Sequence, residues 1–277
     1  MADERHKAQD GGRKALGDDA SLPSKQPIIR ARDLTVGYGR TVVLQDVSFD
    51  VQEGEVFAIL GGSGSGKSTL LKHMIGLKKP LSGTVVIDGT DIVTAEGKER
   101  LNVLKRIGVA YQSGALFGSM SILTNVSLVL QEFTDLPAEA IEAIAQMKLK
   151  AVGLQAAAYK MPAELSGGMR KRAAIARALA MDPKILFLDE PSAGLDPTTS
   201  AQLDELILEL SRSLGITFVL VTHELPSIFA VADRVIMVDK QAQTIVAEGK
   251  PQELRDRSDS PTVRQFFHRQ AGKVKSA

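Results

Sequence analysis

Short apolar runs separated by glycine, proline and acidic breaks set the rhythm of this chain. Ile28–Leu34, Thr41–Leu44 and Val47–Val51 read as β-strands, with turn signals at Gly37-Tyr38-Gly39 and Glu53-Gly54. Val56–Leu60 is wholly apolar and leads through a glycine-rich loop into a helix over Ser68–Gly76. Thr84–Ile87 followed by Asp88-Gly89 predicts an antiparallel strand with its turn, and Ile107–Tyr111 a short buried strand. From about Gln112 to Leu165 the period becomes helical, most clearly over Ala138–Val152, which Pro137 begins and Gly153 ends. Gly167–Met181 predicts a further helix, alanine-rich and basic on one side. Ile185–Leu188, Thr217–Thr222 and Arg234–Val238 read as buried strands of a parallel sheet, with Thr199–Leu214 as a crossover helix. The pattern is that of an α/β fold.

The ends of the chain look different. Residues 1–27 carry five basic and five acidic side chains with little to bury, the composition of a disordered tail. Residues 251–277 form a polar, basic C-terminal extension that contains the apolar pair Phe266-Phe267, expected to dock on a partner subunit. Between them, 28–250 reads as one domain.

Composition narrows the function classes. The 277 residues are 44% hydrophobic and 24% charged, ordinary for a globular protein. A net charge of +1 gives no electrostatic case for nucleic acid, and 4% aromatic content without Trp offers no stacking platform for it. The absence of cysteine rules out disulfides and thiolate zinc sites. No apolar run approaches the ~20 residues that span a bilayer, and the first twenty residues lack the apolar stretch of a signal peptide. A role at a membrane therefore calls for a separate spanning partner.

The loop after Val56–Leu60 reads Gly61-Gly62-Ser63-Gly64-Ser65-Gly66-Lys67-Ser68-Thr69. Glycines at 61, 64 and 66 let backbone N–H groups turn inward around phosphate oxygens, Lys67 supplies a point charge for the β- and γ-phosphates, and Ser68 offers a hydroxyl to Mg2+. The following helix directs its positive end at the same anion. Strand, loop and helix together separate this pattern from a plain Gly/Ser turn and imply a bound nucleoside triphosphate.

Ile185–Leu188 ends in Asp189-Glu190, at the strand end where open α/β sheets bind ligands. Asp189 suits Mg2+ held through water, and Glu190 a general base that polarises the attacking water; alone, the pair reads as well as two solvated acids. Ser166-Gly167-Gly168 opens the helix over 167–181 as a second anion-binding start, or as a serine N-cap with two permissive glycines. His223 and Gln112 each follow a strand, and either is also explained as a polar loop residue. Tyr38, between two glycines, offers a ring to a purine base or simply fills a turn. One chain thus holds two phosphate-binding helix starts but one Lys67 and one Glu190. A head-to-tail dimer would use each kind twice.

In order, these residues resemble the ATP-binding subunits of ABC transporters. Walker A is Gly61–Ser68, the Q-loop centres on Gln112 and the signature is Leu165–Met169. Walker B is Ile185–Glu190, the D-loop is Ser192-Ala193-Gly194-Leu195-Asp196 and the H-loop is His223. The resemblance covers about 28–250. It implies a P-loop NTPase (RecA-like) core with an antiparallel β subdomain and an inserted helical subdomain at about 112–180. It also implies a homodimer that sandwiches two ATP molecules with Mg2+. Residues 61–69 of one subunit would then face Ser166, Gly167 and Gly168 of the other, with Asp196 coupling the sites. Ser68, Gln112 and Asp189 would attend the metal, and Glu190, His223 and Gln112 would carry hydrolysis. The signature departs from the family at Met169, where Gln is usual; a thioether donates no hydrogen bond.

The stretch Tyr111–Met120, with Met147-Lys148-Leu149, Leu165–Arg172 and Val263–Phe266, is similar to the Mla-type phospholipid transport ATPases. That resemblance implies the cytoplasmic face of a bacterial inner membrane, an integral permease, an MCE-domain lipid-binding protein and a STAS-domain protein. The competing transporter reading is a small-solute importer ATPase, which more often shows a proline-bearing motif before Asn125-Val126. A soluble ABC ATPase would usually fuse two cassettes or insert coiled coils, and a metabolic P-loop kinase would lack the signature.

Overall fold

A computed structural model of the protein describes residues 27–268. The expected tail falls outside the described residues apart from Pro27, and so does the chain after His268. Ten strands are described: β1 (Ile29–Tyr38), β2 (Thr41–Val51), β3 (Val56–Leu60), β4 (Ser82–Ile87), β5 (Thr90–Asp91), β6 (Ile107–Ala110), β7 (Ile185–Asp189), β8 (Thr217–Val221), β9 (Arg234–Asp239) and β10 (Thr244–Gly249). The helices are α1 (Lys67–Met74), α2 (Gly97–Leu104), α3 (Ile122–Phe133), α4 (Ala138–Ala151), α5 (Gly167–Ala178), α6 (Pro197–Leu214), α7 (Leu225–Val231), α8 (Pro251–Arg257) and α9 (Pro261–Phe267).

The strands form an antiparallel sheet, β2-β1-β4-β5, and a six-stranded sheet, β10-β9-β3-β8-β7-β6. From β9 to β6 the second sheet is parallel, and β10 closes its edge antiparallel. Its central strands are apolar on both faces because both faces are covered. Ala58 and Leu60 of β3, Leu186 and Leu188 of β7, and Phe218 and Leu220 of β8 enter one core with α3 to α7. Their alternates Phe57, Ile59, Phe187, Val219 and Val221 enter another, shared with α1 and the antiparallel sheet. Each such side chain contributes about 1.5–3 kcal/mol by leaving water.

Some expected boundaries move. β1 runs on to Tyr38, so the turn lies at Gly39-Arg40. The runs 41–44 and 47–51 are a single strand, interrupted by a bulge: Leu34 pairs with Val47 and Val36 with Leu44, and Asp46 has a φ of 51°. Residues 112–121 are irregular rather than helical. The buried Asn125 fixes them: its Oδ1 accepts from Phe117 N at 2.8 Å, and its Nδ2 donates to the carbonyls of Phe117, Met120 and Ser121. The C-terminal extension is folded over its described part, to His268. α9 buries Val263 and Phe267 in the core of its own chain, with Phe267 5.8 Å from the Phe229 ring, so Phe267 is not a partner-docking side chain.

Candidate active site

The carboxyl ends of β3, β8 and β7, which lie side by side, bring the candidate residues together. Gly61 and Gly66 have φ of 152° and 100°. A Cβ on Gly61 would stand 2.4 Å from the Val238 carbonyl oxygen, and one on Gly66 2.8 Å from Val43 Cγ1, so no larger residue fits either place. Lys67 is buried, and its Nζ donates to the carbonyls of Gly61 (2.8 Å) and Gly62 (3.1 Å). Burial lowers its pKa, opposed by the nearby Glu190 and Asp189 carboxylates. Ser68 Oγ donates to Asp189 Oδ1 at 3.2 Å, and burial raises the Asp189 pKa against that bond. Ser65 Oγ is buried without a hydrogen-bond partner.

Glu190 follows β7 in a left-handed conformation, φ 48°. Its N–H donates to the Val221 carbonyl at 2.7 Å, and its Oε1 lies 2.8 Å from His223 Nδ1. Its Oε2 is buried without a partner. Lys171 of α5 donates to the Glu190 carbonyl at 2.9 Å and to the Gln112 carbonyl at 2.6 Å. Gln112 therefore joins the cluster through its main chain, while the residue itself is exposed. Tyr38 bonds Thr69 Oγ1 through its hydroxyl at 3.1 Å, and Lys78 Nζ covers one ring face at 4.2 Å from the centroid.

Ser166, Gly167, Gly168 and Asp196 stand apart. Ser166 Oγ caps α5 by accepting from Met169 N at 3.2 Å. Asp196 caps α6 by accepting from Thr199 N (3.0 Å) and Thr199 Oγ1 (2.5 Å), bonds that lower its pKa. Gly168 is pressed against Thr199, whose Cγ2 would be 2.4 Å from a Cβ. Met169 packs against the large core, as its chemistry favours. Among the described residues no hydrogen bond or ion pair joins these four residues to the Lys67–Glu190 cluster.

Lys171 carried no signal of its own beyond the basic run Arg170-Lys171-Arg172, because its acceptors are main-chain oxygens 59 and 19 residues away. Among the described residues no three His, Cys, Asp or Glu side chains gather around a metal position. A divalent cation beside Ser68 and Asp189 would need phosphate and water ligands, the habit of Mg2+. The set as a whole offers a phosphate cradle, a cation position and an unpaired buried carboxylate oxygen.

Residues 44–193 match the family model described as ABC transporter. The probable ribonucleotide transport ATP-binding protein mkl of Mycobacterium leprae is 40% identical over 92% of this chain and 72% of its own length. The intermembrane phospholipid transport system ATP-binding protein MlaF of Escherichia coli K12 is 42% identical over 87% of this chain and 88% of its own. Among solved structures, cbiO1 from Clostridium perfringens, part of the ABC transporter complex cbiONQ, aligns with a TM-score of 0.76 at 33% identity, covering 84% of this chain and 92% of that one. The ATP-binding cassette MJ0796, a dimer bound to ADP and Pi, aligns with a TM-score of 0.72 at 32% identity, covering 80% and 98%.

Proposed function

The chain belongs to the ABC transporter family of ATP-binding subunits, and on that premise we propose that it powers phospholipid movement between the two membranes of a bacterial envelope. The observation that carries the assignment of roles is the unpaired Glu190 Oε2 beside the Ser68–Asp189 pair. A buried carboxylate oxygen without a donor is suited to accept a proton from the attacking water, and His223 holds the other oxygen so that this one keeps its direction. Lys67 and the N–H groups of residues 61–69 take the phosphates of ATP, and Tyr38 offers its free ring face to the base. Ser68, Asp189 and Gln112 would hold Mg2+, and the ion, when bound, would neutralise phosphate charge. Glu190, His223 and Gln112 are the catalytic group.

Ser166, Gly167 and Gly168, unconnected to this cluster in their own chain, complete the site of a second copy, and Asp196 couples the two. The dimer MJ0796, bound to ADP and Pi, supports that arrangement. We place the dimer peripherally on the cytoplasmic face of the inner membrane. No described helix is long and apolar enough to cross a membrane, so integral permease subunits must supply the path. An MCE-domain protein and a STAS-domain protein complete the proposed assembly.

The near full-length match to MlaF supports phospholipid as cargo. The name of the mycobacterial relative supports a second reading, a nucleotide importer. Purification of the assembled complex from a bacterial membrane decides between them. Phospholipid in the complex and ATP-dependent transfer of labelled phospholipid support the first reading. Their absence, with ATP-dependent ribonucleotide uptake, overturns it.

A further inference from the structure

We propose that Lys171 is a positioning residue for hydrolysis: its ammonium holds the main chain of Glu190 in its left-handed turn and fastens it to the Gln112 loop. The inference rests on the reading of Glu190 as the base. L-residues other than Asn and Asp keep a φ near +48° only where the surroundings fix it. At Glu190 four bonds do so: N–H to Val221, side chain to His223, and carbonyl from both Lys171 (2.9 Å) and, more weakly, the Ala193 N–H (3.3 Å). The first two come from β8 and the loop that follows it. The Ala193 bond closes Glu190's own turn, and among the described residues only Lys171 reaches in from a helix.

Among the described residues both hydrogen-bond acceptors of Lys171 are carbonyls, and no carboxylate forms an ion pair with it. A cation kept only for charge balance would sit on a carboxylate. One with two short bonds to main-chain oxygens fixes backbone. The same helix supplies Arg177, whose guanidinium donates to the carbonyls of Gly114 and Ala115, so α5 grips the 112–115 loop at two points. Ser166, at the start of α5, lies about one and a half turns before Lys171. A shift of α5 when its first turn meets the nucleotide of a second subunit is therefore carried directly to the backbone of the base.

The test uses the ATPase subunit assembled with its membrane partners, with Lys171→Met, Lys171→Arg and Lys171→Cys compared. The chain has no cysteine, so 2-bromoethylamine applied to the purified Lys171→Cys subunit before assembly rebuilds a lysine-like ammonium at that position alone. Lys171→Met should lower kcat about tenfold to a hundredfold, as loss of a charge-assisted hydrogen bond to a reacting residue would, with KM for ATP little changed. Lys171→Arg and the aminoethylated cysteine should regain most of the turnover. Unaltered kcat in Lys171→Met, a loss confined to KM, or no recovery after alkylation proved complete by mass overturns the proposal. The alkylated and unalkylated cysteine proteins differ only in the aminoethyl arm that carries the cation, so this comparison stands even where melting is lowered. Glu190→Gln, run in parallel, separates the two levels. Normal turnover there sinks the reading of Glu190. An inactive Glu190→Gln beside a fully active Lys171→Met sinks the role of Lys171 alone.

Discussion

Two buried titratable side chains differ because their company differs. Lys67 is surrounded by carbonyls and carboxylates. Asp204, on α6, has among the described residues the Ser227 hydroxyl, at the edge of a cavity of about 570 Å³ that Ser192 and Ser200 also line. Burial pushes its carboxyl up to about 6. An acid raised in this way binds its proton more tightly folded than unfolded, so its ionisation costs stability as pH rises from about 4 through 6. Asp204→Asn should therefore be the more stable protein above pH 6, by up to about 3 kcal/mol, and nearly equal to the parent at pH 4. Urea unfolding at the two pH values measures this. Lys67→Ala should weaken ATP binding at least tenfold, since a buried charge proposed for the phosphates is lost; titration with a fluorescent ATP analogue checks it. The phosphate loop and the Asp189-Glu190 pair were legible in the sequence because their residues are neighbours along the chain. Lys171 was not, because any residue type offers the carbonyl that it binds.

Elements were legible where a single period ran uninterrupted. β3, β7 and β8 read directly from their apolar runs, and α4 from its proline start and glycine end. β2 appeared as two strands because a bulge looks like a turn when only composition is visible. Loop 112–121 passed for helix because the pin that shapes it, Asn125, acts from the next element. α9 was hidden in a polar tail: at seven residues it cannot be helical alone and depends on its docking. Phe267→Ala should cost about 3 kcal/mol of that docking. Limited trypsin digestion should then cut at Arg257 and Arg264 well before the parent is cut, and an unchanged digestion pattern would contradict the packing described.

At the scale of the whole molecule, separation of the Ser166 and Lys67 groups predicts complementation. Lys67→Ala and Ser166→Arg should each be inactive as homodimers. Mixed after dissociation, they form heterodimers in which one site has both halves intact, so ATPase should return to about a quarter of the parental rate. Mixtures that stay inactive would argue against a shared site. The strand order was the least legible feature, because adjacency in a parallel sheet owes nothing to adjacency in sequence. It also bears on how the protein is made. β3, which ends in the phosphate loop, pairs with β8 and β9, whose residues begin at Thr217. At about 5–20 residues per second, the wholly apolar strand waits on the order of ten to thirty seconds after leaving the ribosome's catalytic centre before either neighbour has been synthesised. Until then helices made earlier can cover its faces, but neither of its edges has a strand to pair with. A ribosome that stalls before residue 217 leaves both edges of β3 unpaired, so truncated products should be chaperone-bound or aggregated and unable to retain ATP.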